Sequence, residues 1–307
     1  MGRMGSAVPQ VRVWVDGRRV VGDEPSFSAL DHGITVGDGV FETGKLVDGH
    51  LFAATRHRER MERSLAGLGL PPLDRDRLQE GIDAVLSLGP LPFGRLRYTV
   101  TAGPGPLGSA REPGRATYLV TATEVPRPPR VATVAVVPWA RNDVGALAGL
   151  KTTSYADNVV ALAAAARVGA SEALLPNTGG WLCEGTGSNV FVVLDGVVMT
   201  PSLRSGPLAG VTRELTIEWL RDEGLEVVED HLPMTILDDA DEVWITSSVR
   251  DVCAVTRLEV TGPASTPAGV TLPAPPVAAR VLGESPGPVA RLAQDVFTRR
   301  SAEDLDP

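Results

Sequence analysis

The chain of 307 residues is poor in cysteine and in aromatic residues, and it has no long apolar run. Its two cysteines are too few for a disulfide framework and lack metal-ligand spacing, so we expect a cytoplasmic protein without a metal site. No segment reaches the roughly 18 uninterrupted apolar residues of a membrane span. The net charge of −9 and the lack of a basic stripe argue against nucleic-acid binding. We therefore expect neither a membrane nor a nucleic acid as a partner.

Lysine is the scarcest of the common charged residues, because only Lys45 and Lys151 stand against a large excess of arginine. Arginine can replace lysine where only a positive charge is needed, but its guanidinium stays protonated and cannot form a Schiff base. A lysine in such a chain is therefore a candidate for amine chemistry. Lys151 is the better candidate, since Lys45 lies in a plain strand pattern. The alternative interpretation of Lys151 is a solvated loop lysine.

Hydrophobic periodicity and turn residues predict an α+β protein of two domains. We expect a small N-terminal α/β domain over 1–124, a proline-rich linker over 125–130 and a larger β-rich domain over 131–307. Asp16-Gly17 predicts a hairpin with a primed turn. Helices are predicted around 57–65 and over 76–88, 155–168, 212–223 and 288–300. Apart from the last helix, the Pro-, Gly- and Ala-rich chain beyond Val260 reads as irregular.

Three features of the second half would suit an aldehyde cofactor bound through an amine. Such a cofactor needs a lysine, a carboxylate facing its ring nitrogen and N–H groups around its phosphate. Lys151 and Glu184 would supply the first two, although Glu184 also reads as a solvated acid at a strand end. The run 206–213 leads into a helix at Thr212, where a phosphate cup or an ordinary N-cap is expected. Ser248, after a strand, would be a second phosphate contact or part of a plain turn.

Taken together, these residues resemble the fold-type IV pyridoxal-phosphate enzymes. The most specific match is Glu184-x-Thr-x-x-Asn-Val-Phe191, followed by Val198-x-Thr200 and by Leu208-x-Gly-Val-x-Arg213. Two further blocks, Val36-Gly-Asp-Gly-Val-Phe-Glu-Thr43 and His57-x-x-Arg60-x-x-x-Ser64, match the N-terminal part of the family. The resemblance covers roughly residues 11–255. It implies a two-domain fold, pyridoxal 5′-phosphate as the cofactor, a small-molecule amino substrate and a homodimer.

The resemblance also implies roles for individual residues. Lys151 would hold the cofactor as a Schiff base and move a proton, and Glu184 would pair with the ring nitrogen. Leu208 would support one face of the ring. Arg97 would receive a substrate carboxylate, and Thr43 would lie in the substrate pocket. The residues expected to hold the phosphate are Arg60, Val211, Thr212 and Ser248.

Two positions depart from relatives within this family. Tyr155 lies four residues after Lys151, whereas branched-chain aminotransferases place their cofactor tyrosine five residues after the lysine. Phe41 stands where D-amino-acid aminotransferases have a tyrosine. The roles of these two phenols are therefore not transferred to this chain.

The choice of reaction depends on fewer residues than the cofactor assignment does. Thr43 and the run Lys151-Thr-Thr-Ser-Tyr-Ala-Asp-Asn158 resemble 4-amino-4-deoxychorismate lyases, which release pyruvate and 4-aminobenzoate in folate biosynthesis. The loop after Val100 lacks the Arg-x-His pair that is typical of D-amino-acid enzymes. We therefore predict the lyase. A class IV aminotransferase acting on branched-chain or D-amino acids is the alternative, and a non-catalytic pyridoxal-phosphate-binding protein is a remote one.

Overall fold

The computed structural model describes residues 11–21, 24–112, 114, 116–283 and 286–307. The chain divides into two compact units. The first comprises Met1–Arg127, Leu150–Ser154 and Leu305–Pro307, and the second comprises Pro128–Gly149 and Tyr155–Asp304. In the described ranges, no helix combines the length and the apolar character that crossing a membrane requires.

The first unit is built from three helices and an antiparallel sheet among its described residues. Its elements are β1 (Arg12–Val15), β2 (Arg18–Val20), α1 (His32–Thr35), β3 (Gly39–Val47), β4 (His50–Leu51), α2 (Ala54–Leu68), α3 (Arg75–Leu86), β5 (Phe93–Thr101) and β6 (Thr117–Glu124). The strand order in the sheet is β2-β1-β6-β5-β3-β4. The apolar faces of α2 and α3 pack on this sheet, and Trp14, Leu46, Met61, Leu65 and Leu96 are fully buried between them. Burial of these side chains supplies the main driving force for folding of the unit.

Tight Asp-Gly turns fix the register of two strand pairs in this sheet. Asp16 and Gly17 both have positive φ (48° and 88°), as do Asp48 and Gly49 (49° and 80°). Positive φ at both central residues is the type I′ geometry, which matches the right-handed twist of the paired strands. The primed turn predicted at Asp16-Gly17 is therefore confirmed.

The segment Leu150–Ser154 belongs to the first unit because it pairs with the start of β3. Phe41 N donates to Lys151 O (3.0 Å), and Thr153 N donates to Gly39 O (2.8 Å). These backbone bonds place Lys151 beside β3, although the sequence-based boundary had put it in the larger domain. The first division, between Arg127 and Pro128, falls inside the predicted linker 125–130.

The second unit contains a mixed sheet, in which some neighbouring strands are parallel and others antiparallel. Its elements are β7 (Val131–Val136), α4 (Ala156–Arg167), β8 (Glu172–Pro176), β9 (Leu182–Gly185), β10 (Asn189–Leu194), β11 (Val197–Pro201), α5 (Val211–Asp222), β12 (Val227–Asp230), α6 (Ile236–Asp239), β13 (Glu242–Ser247), β14 (Asp251–Val260), β15 (Ala264–Ser265), β16 (Thr271–Leu272), β17 (Arg280–Val281) and α7 (Pro288–Glu303). The strand order in the sheet is β12-β11-β10-β13-β14-β7-β8-β9. β17 pairs with β14, and β15 pairs with β16.

Two apolar layers stabilise the second unit. One lies on β7, β10, β13 and β14 and is closed by Leu232, Met234 and Leu237. The other joins the alanine-rich face of α4 to β7 and β8. α5 and α7 also meet through Trp219 and Phe297, whose ring centroids are 4.9 Å apart.

The long strand β14 is the main element that the sequence pattern does not predict. Its inner half is apolar, but Arg257 and Glu259 interrupt the pattern near its end, and the register shifts between Val255 and Arg257. A bulge of this kind breaks the alternation on which sequence recognition of a strand depends. The chain beyond Val260 also contains short strands where only irregular structure was expected.

Candidate active site

Lys151 is held in the first unit by its backbone. Its N–H donates to Ser64 Oγ on α2 (3.2 Å), and its carbonyl accepts from Phe41 N. A side chain at Gly67, one turn further along α2, would come within 2.6 Å of a methyl group of Leu150. The close approach of α2 therefore fixes the position of the lysine's main chain.

The ring of Phe41 is shared by two cationic side chains. Lys151 Nζ lies 4.5 Å from the ring centroid, and the Arg97 guanidinium carbon lies 3.7 Å from it. Both distances are within the range of a cation–π contact. Thr43 pairs with Arg97 across β3 and β5, so these residues are cross-strand neighbours. The structure thus brings together three of the residues predicted from the sequence, Lys151, Arg97 and Thr43.

Arg60, predicted to bind phosphate, is part of a buried network on the other side of β3. Its Nε and Nη2 donate to the two carboxylate oxygens of Glu42 (2.8 and 2.7 Å), and His57 Nδ1 lies 2.8 Å from Glu42 Oε2. Glu42 and His57 are at most 1% exposed, and Arg60 is 4% exposed. The bidentate edge of Arg60 is therefore directed to Glu42.

The charges in this network are strongly coupled. Burial alone would raise the pKa of Glu42, but the ion pair and hydrogen bonds with Arg60, helped by His57, outweigh it and hold that pKa well below its usual range. Burial lowers the pKa of His57, against the opposing effect of Glu42. His57 is therefore neutral near pH 7, and its Nδ1 donates to Glu42.

Lys45 has a different environment from Lys151. It is 3% exposed within β3, and its Nζ lies 4.3 Å from the centroid of the Phe52 ring. The strand position expected for Lys45 is confirmed.

In the second unit, Glu184 lies near the end of β9 and is mostly buried. Its Oε2 accepts a hydrogen bond from Leu208 N (2.9 Å), and its Oε1 lies 3.0 Å from Arg141 Nε. Only 12% of its side chain is exposed, so the solvated acid considered above is wrong. Arg141 also donates to Asn158 Oδ1 (2.6 Å). The structure therefore places Glu184 against Leu208, both predicted site residues, and adds Arg141, which carried no signal in the sequence.

The start of α5 has the features of an anion-binding helix terminus. Its N-cap residue, Gly210, has no side chain to cap the first turn, in which Val211 and Thr212 are buried. The first N–H groups of a helix lack partners within the helix and lie at the positive end of its dipole. A Cβ on Gly210 would lie 1.9 Å from Asn189 Oδ1, and Asn189 Nδ2 donates to Leu208 O (2.9 Å). Only glycine therefore fits this approach to the helix.

The turn after Glu184 is held by a buried carboxylate. Glu172 accepts hydrogen bonds from the N–H and hydroxyl groups of Thr186 and from the Ser188 hydroxyl. Tyr155 donates through its phenol to Thr186 O (2.9 Å). Burial, with a further contribution from Glu184, raises the pKa of Tyr155, so the phenol stays protonated. Ser248 lies in the turn after β13, which agrees with the turn expected there.

Two solved structures illustrate the fold that this chain shares with known proteins. A branched-chain aminotransferase from the thermophilic archaeon Thermoproteus uzoniensis, solved with norvaline, is 26% identical and has a TM-score of 0.77, with 94% of this chain and 93% of that chain covered. A putative 4-amino-4-deoxychorismate lyase from Legionella pneumophila has a TM-score of 0.78 over 90% of this chain and 96% of its own, and at 24% identity it supports the fold alone. The predicted two-domain fold-type IV architecture is confirmed.

Sequence comparison identifies the family. The model of the class IV aminotransferases matches residues 39–258, and the chain belongs to this family. A putative branched-chain-amino-acid aminotransferase from Methanocaldococcus jannaschii is 32% identical, with 81% of this chain and 88% of that protein covered. An aminodeoxychorismate lyase from Bacillus subtilis is also 32% identical, with 80% of this chain and 86% of that protein covered. The chain is thus similar to enzymes of both reaction types.

Enzymes of this family use pyridoxal 5′-phosphate, and the groups described above fit that cofactor. The first unit contains an amine at Lys151 and a buried guanidinium at Arg60. The second unit contains the hydrogen-bonded carboxylate of Glu184 and the N-terminus of α5, whose N-cap residue is Gly210. These are the donor types that an aldehyde, a pyridine nitrogen and a phosphate require.

Proposed function

We propose that the protein is a pyridoxal-phosphate-dependent 4-amino-4-deoxychorismate lyase. The observation that carries the pyridoxal-phosphate chemistry of this proposal is the pairing of Lys151 and Arg97 on the ring of Phe41. In this arrangement the amine of Lys151, which would move protons, lies near the guanidinium of Arg97, which would receive a substrate carboxylate. The similarity to the Bacillus subtilis lyase supports the same reaction. The homodimer implied by the resemblance and the cytoplasmic location expected from the few cysteines stay predictions.

In the first unit, Lys151 would bind the cofactor aldehyde through its ε-amine and would then act as the proton carrier. The Phe41 ring lies beside this amine, with Lys151 Nζ 4.5 Å from the ring centroid. Arg60 would contribute its charge to the phosphate, with Glu42 keeping its planar fork in one orientation.

In the second unit, Glu184 would pair with the ring nitrogen of the cofactor. Arg141 beside it favours the ionised carboxylate, which in turn favours a protonated ring nitrogen. Leu208 would support the ring, and its own N–H fixes the Glu184 carboxylate. Val211, Thr212 and Ser248 would hold the phosphate through N–H and hydroxyl groups.

The bound cofactor supplies an electron-accepting ring that spreads the charge left when a bond at the substrate carbon breaks. In the proposed reaction, Lys151 Nζ removes the proton from the ring carbon that bears the amino group. The C–O bond to the enolpyruvyl group then breaks, and that group leaves as pyruvate after it gains a proton. The remaining ring becomes aromatic, which favours this elimination and yields 4-aminobenzoate.

The second candidate is a class IV aminotransferase acting on branched-chain or D-amino acids. It is favoured by the similarity to the Methanocaldococcus jannaschii protein, which is as extensive as the similarity to the lyase. An aminotransferase needs the same amine, ring partner and phosphate contacts. The preference for the lyase depends on Thr43, on the run Lys151–Asn158 and on the missing Arg-x-His pair after Val100.

Two incubations, one without a keto acid and one with an amino acid and a keto acid, distinguish these functions. Purified protein loaded with pyridoxal phosphate is mixed with aminodeoxychorismate and no keto acid, and 4-aminobenzoate and pyruvate are measured. Release of both in equal amounts supports the lyase. No release, together with amino transfer from an amino acid to 2-oxoglutarate or pyruvate, would replace it with the aminotransferase. A visible cofactor band that no substrate shifts would indicate a non-catalytic binding protein.

Lys151→Ala tests which amine carries the cofactor. We expect this variant to lose both the visible absorption band of the bound cofactor and turnover, because no other residue would replace the covalent link. Lys45→Ala is the matched control and should keep the band, since Lys45 is buried over Phe52. Loss of the band in the Lys45 variant, with retention in the Lys151 variant, would overturn the assignment.

A further inference from the structure

Helix α2 begins without a capping residue of its own. Its N-cap position is Ala53, which has no side-chain acceptor and adopts a left-handed conformation with φ of 52°. The first turn contains no acidic residue and includes Arg56, whose charge is unfavourable at the positive end of the helix dipole. The first N–H groups of α2 therefore depend on acceptors from elsewhere in the chain.

The segment Leu305–Pro307 supplies these acceptors. Asp306 takes the place of an N-cap side chain, because its carboxylate binds the second N–H of the helix, the usual target of a capping residue. The backbone carbonyls of Leu305 and Pro307 accept hydrogen bonds from Ala53, just before the helix, and from Arg56 in its first turn. The hydrogen bonds are Ala53 N to Leu305 O (2.7 Å), Thr55 N to Asp306 Oδ1 (2.8 Å), Thr55 Oγ1 to Asp306 Oδ2 (2.6 Å) and Arg56 Nε to Pro307 O (2.9 Å).

Helix α2 is also the element that organises the proposed cofactor residues of the first unit. Its first turn contains His57, which bonds Glu42, and its second turn contains Arg60, which bonds the same carboxylate. Further along, Ser64 accepts the hydrogen bond from Lys151 N. Helix formation is cooperative, so a first turn that frays also weakens the order of the turn that follows it. Ordering of the first turn of α2 therefore affects the positions of Arg60 and of the Lys151 backbone.

We propose that Leu305–Pro307 is a positioning segment for cofactor binding, in which Asp306 caps α2 from a distant point in the sequence. Asp306 does not touch the cofactor; it acts through the helix that holds Arg60 and the backbone of Lys151. The inference rests on the proposed cofactor role of these two residues. Within the described part of α2, Ala53 provides no side chain that could replace Asp306 as the cap.

Asp306→Ala tests the proposal, with Asp306→Asn as the conservative variant and Glu303→Ala as the control. Asparagine is as good an N-cap as aspartate, and Glu303 is an exposed acid near the end of α7. Two quantities are measured: the Kd of the apoprotein for pyridoxal phosphate, and hydrogen exchange of the amides in the first turn of α2.

We expect Asp306→Ala to weaken cofactor binding by about fivefold, the ratio that corresponds to the typical loss of one N-cap. Its first-turn amides should exchange faster, whereas Asp306→Asn should restore both quantities to within about twofold. Glu303→Ala should leave both unchanged. An unchanged Kd in Asp306→Ala, whether or not exchange is faster, would overturn the proposal. If the wild-type apoprotein bound no pyridoxal phosphate, the proposed function itself would fail, and this inference would fail with it.

Discussion

Glu42→Gln removes one charge from a fully buried ion pair and keeps the volume of the side chain. Glu42 accepts two hydrogen bonds from Arg60 and one from His57, and it is 0% exposed. Removal of one partner from a buried pair costs about 3–5 kcal/mol, because the remaining charge stays desolvated without compensation. We therefore expect the melting temperature of the apoprotein to fall by on the order of 10 °C.

The same variant tests whether Arg60 binds the phosphate of the cofactor. In Glu42→Gln, the Arg60 guanidinium has lost its buried anion, so a phosphate that reaches it would restore the charge balance. A ligand that binds only the folded state stabilises that state according to its affinity. Pyridoxal phosphate should therefore raise the melting temperature of the variant by more than it raises that of the wild type. Pyridoxal, which lacks the phosphate, should give no such difference.

Thermal and urea unfolding of the apo and cofactor-saturated proteins measure these effects. The double variant Glu42→Gln, Arg60→Gln is the control: it removes both charges, so it should regain most of the lost stability without regaining cofactor affinity. A destabilisation of Glu42→Gln below about 1 kcal/mol, the range of an exposed pair, would refute the reasoning about the buried pair. Equal stabilisation of variant and wild type by the cofactor would refute phosphate binding by Arg60.

Two further predictions concern other parts of the site. Gly210→Ala should weaken cofactor binding by at least about tenfold and cost about 1–3 kcal/mol of stability, since its Cβ would overlap Asn189 Oδ1. Gly187→Ala, where a Cβ meets nothing within 4 Å, should be neutral in the same binding and unfolding assays. Acid should also destabilise the protein, because the pKa of His57 is lowered by burial and the unfolded chain binds its proton more readily. The free energy of unfolding should be highest above about pH 6.5 and fall by up to about 1.4 kcal/mol per pH unit below it. Urea titrations over about pH 5.5–6.5 should show that this free energy falls less steeply with pH in His57→Gln than in the wild type. An equally steep fall in both proteins would contradict the lowered pKa of His57.

Elements with strong local signals were predictable from the sequence. The Asp-Gly turn at Asp16-Gly17 and the helices α4, α5 and α7 follow from turn chemistry and apolar spacing, and the structure places their ends within a few residues of the expected ones. β14 was missed because its bulge disturbs the alternation of apolar and polar residues. The assignment of Leu150–Ser154 to the first unit was also missed, because it depends on backbone bonds to β3 that no local pattern encodes.

The residues of the candidate site also differ in how far the sequence predicts them. Lys151 and Glu184 stand out because of lysine scarcity and signature spacing, so both were found from the sequence. Their charged neighbours were not found. Arg141 is separated from Glu184 in the sequence by a loop, helix α4 and strand β8, and Asp306 reaches α2 from the other end of the chain. A single charged residue at such a separation produces no periodicity, and only the folded backbone brings it to its partner.

Opposite charges are paired in both units before any cofactor arrives. Glu42 balances Arg60 in the first unit, and Arg141 lies against Glu184 in the second. Without these partners, burial of a guanidinium or of an ionised carboxylate would carry an uncompensated desolvation cost. The partners also restrict each group to one orientation, which reduces the ordering entropy that cofactor binding has to overcome. In the proposed site this arrangement has a cost, because the phosphate would have to share Arg60 with the Glu42 carboxylate, which already accepts two hydrogen bonds from its guanidinium. If the proposal is right, affinity for the cofactor would depend on the first N–H groups of α5, where the N-cap Gly210 makes no side-chain capping bond, as much as on the charge of Arg60.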